Sequence, residues 1–131
     1  MTPENMRRLP AANALAPLSD AVVLDNSLAF VSGQGPIGPN GLSLGTIEHE
    51  SALTLQNLLA VVSALGGTKE SVARCTVYLA DLADVAAFNR VYSDVFDDAL
   101  PARTAIGVAL QGGMKVEVEA VIQLAAQDEQ R

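Results

Sequence analysis

Leu100-Pro101-Ala102-Arg103-Thr104-Ala105-Ile106-Gly107-Val108-Ala109-Leu110, then a Gly112-Gly113 break and Val116-Glu117-Val118-Glu119-Ala120-Val121-Ile122, is the stretch from which the fold is read. Both halves alternate with period two, and each predicts a strand with one apolar face. In the first, Ala102, Thr104, Ile106, Val108 and Leu110 fall on the side expected to meet the core, leaving Arg103, Ala105, Gly107 and Ala109 on the other. In the second, Val116, Val118, Ala120, Ile122 and Leu124 share the core side while Glu117 and Glu119 point away. A guanidinium and two carboxylates are thus expected on non-core faces, with small residues beside Arg103 leaving floor space for a ligand. A plain two-residue hairpin at Gly112-Gly113 would place Arg103 with Val116. A bulge, a longer loop or non-adjacent strands is therefore expected, so that Arg103 and Glu117 share a cleft.

Val72 to Ala80 reads as a central strand by the same alternation: Ala73, Cys75, Val77 and Leu79 face the core and Arg74, Thr76 and Tyr78 the other side. Residues 46–65 predict a helix with Thr46 as N-cap, Glu48 and Glu50 in the first turn, an apolar stripe through Leu55, Leu58, Leu59, Val62 and Leu65, and a Gly66-Gly67 stop. A second helix, capped by Asp81 or Asp84, carries Val85, Phe88, Tyr92, Val95 and Phe96 on its buried stripe and ends before Pro101. Near the N-terminus, Met6 to Leu9 predicts an edge strand and residues 12–19 a loop. Two strands then flank an Asp25-Asn26 turn, followed by a loop rich in turn formers from Gly33 to Gly41. The order is strands, helix, strand, helix, strands: an α+β plan with a mixed sheet and two helices on one face. The other face, lined partly by Thr76, Tyr78, Ala105 and Val121, is too apolar for plain solvent and is expected to pack against neighbouring subunits.

Composition bounds the function. The 131 residues suit one domain spanning 1–131, with an aliphatic core, since half are hydrophobic and only 4% aromatic. A net charge of −7 provides no basic footprint, so nucleic acid and anionic membranes are not expected partners. No long apolar run or signal peptide is read, and a cytoplasmic location is the expectation. Cys75, the sole cysteine, reads as a small buried hydrophobe. His49, the sole histidine, lacks neighbours at ligand spacing, so no metal is expected. The Gly33 to Gly41 loop matches neither a P-loop nor a dinucleotide fingerprint.

Six segments together resemble the RidA-type (YjgF-like) reactive-intermediate deaminases. They are Phe30-Val31-Ser32-Gly33-Gln34, Leu55-Gln56-Asn57-Leu58, Val77-Tyr78-Leu79-Ala80-Asp81, Phe88-Asn89-Arg90-Val91-Tyr92, Pro101-Ala102-Arg103 and Val116-Glu117-Val118-Glu119-Ala120. Each is short, but their order matches the family along nearly the whole chain. The resemblance implies a chorismate-mutase-like fold, a homotrimer with a site in each cleft between subunits, no cofactor, and hydrolysis of 2-imino acids, formed from enamines such as 2-aminoacrylate, to 2-oxo acids and ammonia.

By the same resemblance Arg103 would hold the substrate carboxylate, and Glu117 would position the attacking water. A guanidinium suits the first task because its planar fork donates two parallel charge-assisted hydrogen bonds. Ser32, Gly33 and Asn89 match positions lining the family's cleft, as do Leu18 and Ala105, where this chain departs from the pattern. Ala16-Pro17-Leu18 stands where the family usually has Gly-Pro-Tyr, Ala105 where many members carry cysteine, and Gly107 where glutamate is common. These departures point to a larger or more apolar imine. Two other readings are a non-catalytic trimer that binds or senses a small carboxylate, and an RNA-cleaving role, which the negative charge and single histidine disfavour.

Overall fold

The computed structural model describes residues 3–12 and 16–125. The strands are β1 (Met6–Pro10), β2 (Ser19–Leu24), β3 (Leu28–Gln34), β4 (Ile37–Gly38), β5 (Gly41–Leu42), β6 (Val72–Leu79), β7 (Ala102–Gly107) and β8 (Val116–Gln123). The helices are α1 (Ile47–Ala64), between β5 and β6, and α2 (Val85–Phe96), between β6 and β7. Six strands form one mixed sheet in the order β1-β2-β3-β8-β6-β7, in which only β6 and β7 run parallel; β4 and β5 make a separate small hairpin. This is the α+β arrangement expected. Of the expected loop over residues 12–19, residues 13–15 lie outside the described residues.

Local chemistry explains the elements. Asp25 and Asn26 both adopt left-handed φ, and Ser27 N–H closes the turn on the Leu24 carbonyl at 3.0 Å, giving a hairpin whose twist matches its strands. Thr46 caps α1 by accepting the His49 N–H at 3.1 Å. Asp81 accepts the Ala83 N–H at 2.9 Å and caps the short 3-10 turn Leu82–Asp84 that leads into α2. The core lies between sheet and helices, with Leu55, Leu58 and Val62 of α1 and Phe88, Tyr92 and Phe96 of α2 buried with Val31, Cys75, Val77, Leu79, Val116, Val118 and Ile122.

Two facing expectations are corrected. A register shift between Val72 and Arg74 makes Val72 the buried residue and leaves Ala73 exposed. In β7 the sides are reversed. Parallel pairing sets Arg103 opposite Cys75 and Ala105 opposite Val77, so these two face the helices, while Thr104 and Ile106 lie with Thr76 and Tyr78 on the outer face. Ala105 is therefore not part of the outer face. The strand also ends at Gly107 instead of running to Leu110, the last link being Val108 N–H to the Leu79 carbonyl at 2.9 Å. Ile106 and Val108 stay 42% and 44% exposed, which is why their apolar character does not mark this chain's own core.

Candidate functional site

The site residues fall into two groups on opposite sides of the sheet. Strands β7 and β8 are not adjacent, because β6 lies between them, and this was one of the expected ways to escape the hairpin register. Yet Glu117 pairs with Tyr78 on the outer face and Arg103 with Cys75 on the helix face. Within one protomer they do not share a cleft, which corrects that expectation for the single chain.

The first group surrounds Arg103, half-buried on the edge strand. Its guanidinium carbon sits 4.9 Å from the Tyr92 ring centroid and 5.7 Å from that of Phe88. The aromatic rings, spaced one helical turn apart on α2, form a platform that attracts the cation and fixes its plane. Among the described residues no carboxylate forms an ion pair with Arg103, so its N–H fork is available to an anion. Asn89, beside Phe88 on α2, has a buried side-chain oxygen with no hydrogen-bond partner. Below them Cys75 is fully buried. Burial pushes its thiol above the usual range, outweighing the Tyr92 hydroxyl and the Arg103 charge. Cys75 is thus a core residue, as its alternation predicts, and no thiolate is at hand. The Tyr92 phenol is likewise pushed up, by burial first and the neighbouring thiol second.

The second group surrounds Glu117. Residues Leu18, Gly33, Gln34, Asn57, Met114 and Glu117 are among those lining a cavity of about 400 Å³ between β1, residues 16–18, the end of β3 and α1. Burial first, and repulsion from Glu119 second, raise the Glu117 carboxyl above the ordinary carboxylate range. Glu119 itself accepts the Tyr78 O–H at 2.5 Å. Gly33 is placed by a register shift between Val31 and Gln34, and its missing side chain makes room for Glu117: a Cβ there would stand 2.9 Å from the Glu117 carboxyl carbon. Ser32 donates its hydroxyl to the Ser19 carbonyl at 2.6 Å, tying β3 to β2. Leu18 is half-exposed on the cavity wall.

Phe88 and Tyr92, expected only as core residues, are also the guanidinium's platform, and their four-residue spacing is the sequence signal for an aromatic pair on one face of α2. Glu50, expected only to favour the helix dipole, is fully buried and accepts from Gly45 N–H at 3.0 Å and Lys115 N–H at 2.8 Å, with Lys115 Nζ at 3.5 Å. Glu50 thereby anchors the chain two residues before Glu117. His49 pairs with Ser43 through its ring at 2.9 Å. Among the described residues no three His, Cys, Asp or Glu side chains cluster so as to hold a metal, and no helix is long and apolar enough to cross a membrane.

Comparison with known proteins adds independent findings. Residues 9–124 match the family model described as Endoribonuclease L-PSP. Protein DfrA of Myxococcus xanthus is 39% identical over 115 residues, covering 85% of this chain and 88% of the relative. The 2-iminobutanoate/2-iminopropanoate deaminase of Mus musculus is 37% identical over 114 residues, covering 85% and 84%. Among solved structures, E. coli TdcF with bound serine superposes with a TM-score of 0.81 at 33% identity, covering 90% of this chain and 94% of that one.

Proposed function

Because this chain belongs to the endoribonuclease L-PSP family, which comprises the YjgF/RidA proteins, we propose that it hydrolyses 2-imino acids to 2-oxo acids and ammonia in clefts completed by a neighbouring copy. The observation that carries this reading is the separation of Arg103 from Glu117. A carboxylate-binding fork and a cavity carboxylate on opposite sheet faces can serve one small substrate only if the fork of one protomer meets the cavity of the next. The apolar outer face supports such association: Val22, Phe30 and Val121 stand side by side in register, with Ile106 on the same face. A homotrimer of the chorismate-mutase-like type, each protomer contributing residues 1–131 as one domain in the cytoplasm, is the assembly this reading adopts.

In the reaction the Arg103 fork binds the substrate carboxylate and orients the C=N carbon toward Glu117. Ionised Glu117 takes a proton from water as the oxygen attacks the protonated imine carbon, giving a carbinolamine. The same carboxyl then returns the proton to nitrogen; as the C–N bond breaks and ammonia leaves, Glu117 accepts the hydroxyl proton of the carbinolamine, the C=O of the 2-oxo acid forms, and that proton passes to the departing ammonia as ammonium. A carboxyl whose pKa is raised toward neutrality serves both directions. The imine carbon is already electrophilic, so neither metal nor organic cofactor enters the proposal. Asn89 supplies an acceptor, and Ser32, Gly33, Ala105 and Leu18 shape the cleft. The mouse relative's name supports the substrate class. Leu18, which provides no hydroxyl beside Glu117, favours a second reading, a non-catalytic trimer that holds small carboxylates.

The test generates imines from 2-aminoacrylate and follows their decay. Arg103→Ala and Glu117→Gln are each expected to be inactive. Mixed oligomers of the two, formed by unfolding and refolding together, would regain activity at on the order of a quarter of their sites, because some clefts then receive both intact residues. Decay by Arg103→Ala equal to wild type would refute the deaminase, and carboxylate binding without turnover would establish the second reading.

A further inference from the structure

We propose that the cavity beside Glu117 seats the alkyl side chain of the substrate, and that the preferred substrates are 2-imino acids with side chains of leucine or methionine size. This rests on the deaminase reading above and assigns the ends of the substrate within it. The cavity, about 400 Å³, is far larger than the methyl group of 2-iminopropanoate requires; pockets of roughly 300–1,000 Å³ accommodate much bigger molecules.

Charge decides the orientation. The lining contains two carboxylates, Asp20 and Glu117, and no lysine, arginine or histidine. An anionic carboxylate would be repelled there, so that end of the substrate must turn outward to Arg103 of the adjoining copy. The side-chain donors in the wall are also already engaged. The Asn57 amide donates to the Gly35 and Ile37 carbonyls, both at 2.9 Å, and Gln34 Nε2 donates to the Ser32 carbonyl at 3.1 Å. Asp20 accepts the Ala12 N–H at 3.0 Å. What remains to be offered is hydrocarbon, from Leu9, Leu18, Ala60, Val61, Ala64 and Met114, beside acceptor oxygens of Gln34, Asn57 and Glu117 that hold no attraction for a carboxylate. An occupant of that surface gains by burying methylenes and asks for no hydrogen bond. Glu117, at the boundary between this wall and the outer face, then stands beside the C=N carbon.

The experiment compares 2-imino acids produced in situ by an L-amino acid oxidase from alanine, norvaline, leucine and methionine. Wild type is expected to favour the leucine-derived imine over the alanine-derived one by at least about tenfold in kcat/KM. Ala64→Phe, which fills the cavity from an exposed helix position, should bring that ratio to within about twofold, and Ala60→Leu should narrow it in the same direction. A flat chain-length profile with turnover that still depends on Arg103 overturns the inference and leaves the deaminase standing. An unchanged ratio in Ala64→Phe and Ala60→Leu overturns it as well. Should no imine be turned over, titration calorimetry with 4-methyl-2-oxopentanoate and pyruvate decides. Tighter binding of the branched acid, lost in Ala64→Phe, upholds the pocket; equal binding refutes it.

Discussion

Gly33 lies directly beneath Glu117, so close that a Cβ on Gly33 would stand 2.9 Å from the Glu117 carboxyl carbon. The backbone of Gly33 has no positive φ, so the constraint is the shared volume and not the conformation. Gly33→Ala is expected to fold normally and displace the carboxylate, lowering kcat/KM by about tenfold or more because a misplacement near 1 Å suffices for that. Steady-state kinetics beside a thermal melt would show it; an unaltered kcat/KM would mean that Glu117 needs no fixed position.

The raised pKa of Glu117 has consequences for stability as well as rate. The folded chain binds that proton more tightly than the unfolded chain. The stability it contributes is full below the ordinary glutamate value and is lost as pH rises through the folded one. Glu117→Gln, which cannot ionise, is expected to melt above wild type at about pH 7 and to lose the advantage near about pH 4. In the active protein, Glu119→Gln removes the like charge and should shift the acid limb of kcat/KM to lower pH.

Glu50 is fully buried and binds two backbone N–H groups and one ammonium. Glu50→Ala would strand the Gly45 and Lys115 N–H groups, at a cost of about 2–3 kcal/mol, and Glu50→Gln, which keeps one acceptor, about half of that. Urea unfolding measures both. Because Lys115 leads into β8, loss of this anchor should also lower kcat through Glu117.

Phe30 is 46% exposed and lies between Val22 and Val121 on the outer sheet face. Phe30→Asp removes little from the protomer's own core but places a charge where copies are proposed to meet. Sedimentation should show a monomer with native circular dichroism, and activity should vanish with the association. A variant that stays assembled and active would place the contact elsewhere.

Much of the fold is legible in short-range signals. The cap at Thr46, the Asp25-Asn26 turn, the aromatic stripe of α2 and the alternation of β6 and β8 each follow from neighbours a few residues apart. The family likeness likewise lies in contiguous segments, and it singled out Arg103, Glu117, Gly33 and Leu18. The seating of Arg103 over that aromatic stripe and the burial of Glu50 are not legible there, since each joins elements distant in the chain.

The element types, their order and the residues that carry charge into otherwise apolar strands follow from the chain's local pattern, because backbone propensity and side-chain period are local properties. Which side of β7 faces the helices is set by the assembled sheet. Alternation gives a period without a sign, and on an edge strand with hydrophobic residues on both sides the sign is set by the partner strand's register. Parallel pairing with β6 turned Arg103 toward Tyr92 and left Ile106 outside. That one choice placed the guanidinium and Glu117 on opposite faces of the sheet.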